Sequence, residues 1–321
     1  MLAVVCPGQG SQTPGMLAPW LELPGVPDQI AAFSDAAGLD LAAHGTTSDA
    51  DTIRDTAVAQ PLIVASSLLA WRVILDGGAL AGRDAAEVVD VTAGHSVGEV
   101  AAAAVAGVLD DVGAVGLVTR RAQAMAKAAA AAPSGMSAVV GGDPAEVLAA
   151  IEAAGLWPAN VNGAGQTVAG GALEHLSTLA LNPPARARVI PLQVAGAFHT
   201  PFMDAAREEF EQVTAQWPAN DPRITFLADL DGQPHGTGAE TLARLAGQVT
   251  APVRWDLVMD GLAARGVTAV LELAPGGVLT GLAKRALKGV ELLAVKSPDD
   301  VEAARDLIAR HSTAVPNGVD A

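Results

Sequence analysis

The sequence predicts an α/β fold in two parts, a large domain on a mainly parallel sheet interrupted once by a small domain. Three observations carry that reading. Short β-branched runs alternate with longer alanine-rich helical stretches, as in βαβ units around a parallel sheet. One such run, 88–93, stops at a glycine turn and leads directly into a helix. Between 135 and 194 the rhythm changes to βαββαβ.

In order, residues 2–6 form an apolar run ending at Pro7-Gly8, a strand entering a glycine turn. Helical apolar spacing follows over 27–43 and 58–76, the second so uniformly apolar that it predicts a buried helix. The strand at 88–93 precedes an alanine-rich helix at 97–108, and a further helix covers 111–131 up to Pro133-Ser134-Gly135. Next come a strand at 137–141 and a helix opened by Asp143-Pro144, a cap and a proline suited to the first turn. Strands at 157–162 and 166–170, a helix at 172–181 and a strand at 187–194 complete a ferredoxin-like unit. After 195 the chain resumes with helix 201–216, strand 223–228, helices 238–248 and 255–265, and strand 268–273. Gly276-Gly277 then opens a helix, and a strand lies near 291–295. This assigns 1–134 and 195–310 to a large catalytic domain, 135–194 to the small domain and 311–321 to a flexible tail.

Composition narrows the function classes. Half of the 321 residues are apolar, with 3% aromatics and no tyrosine, so the expected core is built of small aliphatic contacts rather than aromatic plugs. The single cysteine, Cys6, excludes an internal disulfide framework and a cysteine-rich metal site. A formal charge of −16 repels nucleic acid, and the densest cationic cluster is only Lys284, Arg285 and Lys288. The N-terminus has no basic segment before its short apolar run, and later apolar stretches look broken before a membrane-spanning length. The expectation is a cytoplasmic monomer with neither nucleic acid nor a membrane as partner.

Gly94-His95-Ser96-Val97-Gly98 is the first candidate for chemistry. A bare Gly-x-Ser-x-Gly is weak, but strand before and helix after are the setting of an exposed nucleophile in α/β-hydrolase-like folds. The bland alternative is a serine capping a helix. A serine nucleophile needs a base. His95 leaves the elbow in another direction and reads as packing or pocket lining. His44, His235 and His311 sit in polar, loop-like surroundings, and His175 lies on a helix of the small domain. His199 remains, in a loop between a strand and a helix, where α/β folds place chemistry. At Pro7-Gly8-Gln9-Gly10, glycines that merely ease a turn and a bare Gln9 amide offered to an oxyanion are equally good accounts. Arg120 and Arg121 cannot be told apart by helical position alone.

Six segments together resemble the malonyl-CoA:acyl carrier protein transacylases. They are PGQGSQ at 7–12, GHSVGE at 94–99, TRRAQAM at 119–125, GAFHTPFM at 196–203, QVTAPVRW at 248–255 and ELAPGGVLTGLAKR at 272–285. Their order and spacing span nearly the whole chain. The resemblance implies Ser96 as the acylated nucleophile and His199 as its base. It implies a backbone carbonyl at Gln248 orienting the imidazole in place of a carboxylate. The amides of Gln9 and Val97 become the oxyanion hole, although the family usually has leucine where Val97 stands. Arg121 becomes the binder of the malonyl carboxylate, a role suited to a planar guanidinium. Phe198 becomes the aromatic crowding the acyl α-carbon. No cofactor or metal is implied, because coenzyme A is part of the substrate, and the partners are malonyl-CoA and an acyl carrier protein. A serine thioesterase or esterase is the rival reading, weakened by the lack of an obvious acid for a Ser…Asp…His order; Asp143 belongs to the small unit.

Overall fold

The computed structural model describes residues 1–163 and 165–313. Its regular elements begin with β1 (Leu2–Cys6), α1 (Val26–Ala37), α2 (Leu41–Thr46), α3 (Thr56–Leu75), β2 (Val91–Gly94), α4 (Gly98–Val105) and α5 (Asp111–Ala131). The middle of the chain supplies β3 (Ser134–Gly141), α6 (Pro144–Ala153), β4 (Trp157–Gly163), β5 (Gln166–Ala172), α7 (Leu173–Leu181) and β6 (Ala187–Pro191). The remainder forms α8 (Asp204–Thr214), β7 (Thr225–Leu227), α9 (Gly238–Gln248), α10 (Trp255–Ala264), β8 (Ala269–Glu272), α11 (Val278–Ala286), β9 (Glu291–Ala294) and α12 (Val301–His311).

Five strands make one parallel sheet in the order β7-β2-β1-β8-β9. Leu2, Val4 and Cys6 of β1 enter one apolar cluster and Ala3 and Val5 the other. A strand covered on both faces has no use for polar alternation, which is why 2–6 reads as an unbroken apolar run. The register pairs Cys6 with Gly94. The turn after β1 and the turn after β2 therefore lie side by side at the carboxyl edge of the sheet, where such folds bind ligands. The other four strands form an antiparallel sheet in the order β4-β5-β3-β6, the ferredoxin-like arrangement. Its own small core holds Val139, Val147, Ile151, Leu156, Ala169, Leu176 and Leu179.

Several expectations need correction. The helix expected over 27–43 is two: Gly38, at φ 61, ends α1, and the Asp40 carboxylate caps α2 through the Ala43 amide. Apolar spacing runs through the break because both pieces face the same core. The strand expected from 88 starts at Val91, since Asp84 caps a short 3-10 turn at Ala85–Glu87. Helix α12 was not anticipated, although Val301, Ala304, Leu307 and Ile308 form a buried stripe. It ends at His311, whose ring bonds Thr268 and Glu291, while Thr313 bonds Asp90. Residues 311–313 are thus docked, not tail, and 314–321 lie outside the described residues. Helix α3 is long and apolar enough to cross a membrane by length and composition, contrary to expectation, but most of it is buried in the core. Aromatics are few but central: Trp20, Trp71 and Trp255 are among the largest fully buried side chains.

Candidate active site

Ser96 occupies the turn between β2 and α4 with φ 53, a left-handed conformation that costs a serine about 1–3 kcal/mol. Close approach, more than turning, explains its glycines. A Cβ on Gly94 would lie 2.1 Å from the Gly98 carbonyl carbon, and one on Gly98 would lie 2.2 Å from the Cys6 oxygen. The first turn answers the same demand, since a Cβ on Gly8 would sit 2.8 Å from the His95 oxygen.

Ser96 Oγ lies 2.7 Å from His199 Nε2. His199, the second residue here with a left-handed backbone (φ 60), follows β6 and precedes α8. Its Nδ1 donates to the carbonyls of Gln248 at 2.9 Å and Ala251 at 3.2 Å. Carbonyls only accept, so Nδ1 carries the proton and Nε2 is left as an acceptor facing the serine. Burial first, and the charge of Arg121 second, push the imidazole pKa down to about 3. His199 is neutral at neutral pH and free to take a proton.

The Ser96 amide donates to Asp229 Oδ2 at 2.7 Å. Those of Gly98, Glu99 and Val100 go to the carbonyls of His95, Ser96 and Val97. The amides of Val97 and Gln9 have no hydrogen-bond partner among the described residues, and both residues line a cleft of about 260 Å³. Phe198, His95 and Gln60 line it as well, together with Asn160 and Asn162 of β4 and Val278, Leu279 and Leu282 of α11. His95 is a lining residue as expected, with Nε2 2.9 Å from Asn162 Oδ1 and its ring 5.5 Å from that of Trp255.

Arg120 is exposed and Arg121 completely buried, which separates the two arginines. From α5 the Arg121 guanidinium donates through Nη1 to Gln60 Oε1 at 2.7 Å. Through Nη2 it donates to Gln248 Oε1 at 2.7 Å and reaches Ser96 Oγ at 3.3 Å, while Nε has no partner among the described residues. Arg121 therefore stands behind the cleft wall, and Gln60 stands in it. Burial lowers its pKa to about 10, with Asp229 and Glu99 opposing, so it stays cationic.

Sequence reasoning missed the polar layer beneath the elbow. Glu99 Oε1 accepts from the Asp229 amide at 2.6 Å, and the Gln248 side-chain amide donates to Glu99, to Asp229 at 3.1 Å and to the Ser96 carbonyl at 3.0 Å. Burial raises the pKa of both carboxyls, and for Asp229 the neighbouring Glu99 adds to the rise. His235 belongs to this layer rather than to a polar loop: it is buried, stacked on Phe226 at 4.2 Å and 3.8 Å from Glu99. Glu99 left one signal, an acid in the first turn of the helix behind the serine. Neither buried acid bonds the His199 ring, whose Nδ1 meets only carbonyls among the described residues.

Residues 3–307 match the acyl transferase domain family. The malonyl CoA-acyl carrier protein transacylase of Mycobacterium tuberculosis is 52% identical over 307 residues, 96% of this chain and 100% of that protein. This chain belongs to the malonyl CoA-acyl carrier protein transacylase family. Membership makes it an acyltransferase. The crystal structure of MCAT from Mycobacterium tuberculosis shares the fold with a TM-score of 0.90 over 95% of this chain and 99% of its own. A malonyl-transacylase solved in complex with its type II PKS acyl-carrier protein is 29% identical, with a TM-score of 0.87 over 95% of this chain and 99% of its own. All six motifs of this transacylase family lie within the matched residues.

Proposed function

We propose that this chain moves a malonyl group from coenzyme A to the phosphopantetheine thiol of an acyl carrier protein, for fatty-acid or polyketide synthesis, through a malonyl-Ser96 intermediate. The observation that carries the proposal is one oxygen, Ser96 Oγ, 2.7 Å from a neutral imidazole nitrogen and 3.3 Å from a buried guanidinium.

In the first half, Ser96 Oγ attacks the thioester carbon and His199 Nε2 takes the hydroxyl proton. The oxyanion is held by the amides of Gln9 and Val97, each worth about 3 kcal/mol in comparable sites. The carbon–sulfur bond breaks, and the coenzyme A sulfur leaves with the proton from His199. In the second half the carrier thiol gives its proton to the same nitrogen and attacks the ester. Ser96 then leaves and recovers its proton. One site serves both halves, so the kinetics are ping-pong.

Arg121 is the proposed holder of the malonyl carboxylate. Two glutamine oxygens now occupy its Nη atoms, and acceptors in those positions are what a carboxylate can replace. Phe198, beside the base on the cleft wall, crowds the acyl α-carbon. The proposal keeps the division into 1–134 with 195–310 and 135–194, because the cleft takes walls from both. A cytoplasmic monomer without a bound cofactor completes it. The relative solved with its carrier protein supports the second acceptor being a carrier thiol rather than water.

Incubation with malonyl-CoA is expected to add one malonyl group to the intact mass, and none in Ser96→Ala. A wild-type protein that stays unmodified while turning malonyl-CoA over would refute the serine intermediate.

A further inference from the structure

We infer that Asp229 is a positioning residue for the nucleophile, acting through the Ser96 amide; this rests on Ser96 being the acylated residue. Asp229 follows β7, the strand beside β2, and is completely buried. A single atom, Oδ2, accepts the Ser96 N–H at 2.7 Å and the Gln248 side-chain amide at 3.1 Å. Its backbone is itself anchored, because Glu99 accepts the Asp229 N–H at 2.6 Å.

The consequence lies in the peptide geometry of the elbow. Ser96 is held at φ 53, against its intrinsic preference, and contacts on its backbone oppose the return, the Glu99 amide on its carbonyl at 3.0 Å among them. Asp229 grips its N–H, and Gln248 grips its carbonyl at 3.0 Å. The Ser96 carbonyl and the Val97 N–H belong to one planar peptide unit. Fixing the first aims the second, the amide with no partner of its own on the cleft wall. Asp229 thus sets the direction of Oγ through the Ser96 N–H, and bears on the oxyanion donor only through the Gln248 amide it accepts, without touching substrate.

The role needs an acceptor oxygen, not a negative charge, which separates Asp229→Asn from Asp229→Ala. Asparagine keeps an oxygen for the Ser96 N–H; alanine leaves that buried N–H orphaned. In Asp229→Ala the single-turnover rate of malonyl-Ser96 formation is expected to fall roughly 10- to 100-fold, the scale of a modest misplacement of reacting groups. KM for malonyl-CoA should change little, and Asp229→Asn should recover most of the rate. Thermal unfolding of each variant checks that folded protein is compared. Should Asp229→Ala not fold, Glu99→Gln gives a second test. It keeps an acceptor for the Asp229 amide but presents a donor to the Gln248 amide, so Gln248 must let go of the Ser96 carbonyl or turn. The same kcat-directed loss is then expected. A folded Asp229→Ala with the wild-type acylation rate would overturn the inference, as would Asp229→Asn no better than Asp229→Ala. Absence of malonyl-Ser96 in the wild type would instead overturn the proposed function.

Discussion

Arg121→Met separates substrate recognition from structural support. Arg121 binds two glutamines and neutralises a buried acidic pair, so its removal damages more than malonyl binding. Two glutamine oxygens lose their donor, each at a cost of about 1–3 kcal/mol. Methionine fills much of the vacated volume, and Glu99 and Asp229, already raised by burial, can take up protons once the cation is gone. These losses are common to every acyl group. The malonyl carboxylate adds one that acetyl lacks, a buried anion without its cation, at about 3–5 kcal/mol. At roughly 1.4 kcal/mol per tenfold, the malonyl-to-acetyl ratio of kcat/KM should drop by roughly 10²- to 4 × 10³-fold. Acyl-enzyme formation from malonyl-CoA and acetyl-CoA, followed side by side by intact mass, reads that ratio directly. Equal losses for both acyl groups would show that Arg121 only braces the layer under Ser96.

Three other expectations follow from the same geometry. The imidazole of His199 is held at about 3, below the usual value of about 6.5, so protonation removes the base only as pH falls toward the lower figure. Acylation kcat/KM measured by short pH jumps should stay level from about pH 7.5 to about pH 5; an acid limb near 6.5 would contradict the burial argument. In Arg121→Met that limb should move upward, because the guanidinium charge is the second cause of the low value. Phe198→Ala should raise transfer of a branched methylmalonyl group relative to malonyl, and an unchanged ratio in competition assays would remove Phe198 from the acyl pocket.

What the sequence disclosed depended on whether the constraint was local. Ser96 was legible because close packing against the start of α4 at 94 and against β1 at 98 admits only glycine, and that leaves a mark three to five letters long. The two accounts of the first turn prove compatible: Gly8 is needed for clearance, and the Gln9 amide beside it is left unpaired. Asp229, Gln60 and the contacts of Glu99 with Asp229 and Gln248 were invisible for the opposite reason. Gln60 meets Arg121 61 residues away, Asp229 meets Glu99 and Ser96 130 and 133 residues away, and nothing near Asp229 distinguishes a buried acid from the many that give the chain its charge of −16.

Gln248 shows where motif reading and physical reading part. The resemblance gives this position a backbone duty, orienting His199 through the carbonyl, and the carbonyl is 2.9 Å from Nδ1. Any residue with the same backbone could do that, so the duty does not explain a glutamine. The side chain does. Its oxygen accepts from Arg121, and its nitrogen donates to Ser96 O, Glu99 and Asp229. Only an amide offers an acceptor to a cation and donors to carboxylates from one planar group. A carboxylate there would face two buried acids, and an aliphatic chain would take away the glutamine oxygen that Arg121 Nη2 meets. The chemical identity at 248 is therefore set by the layer beneath the nucleophile, and its carbonyl reaches the base because α9 ends there.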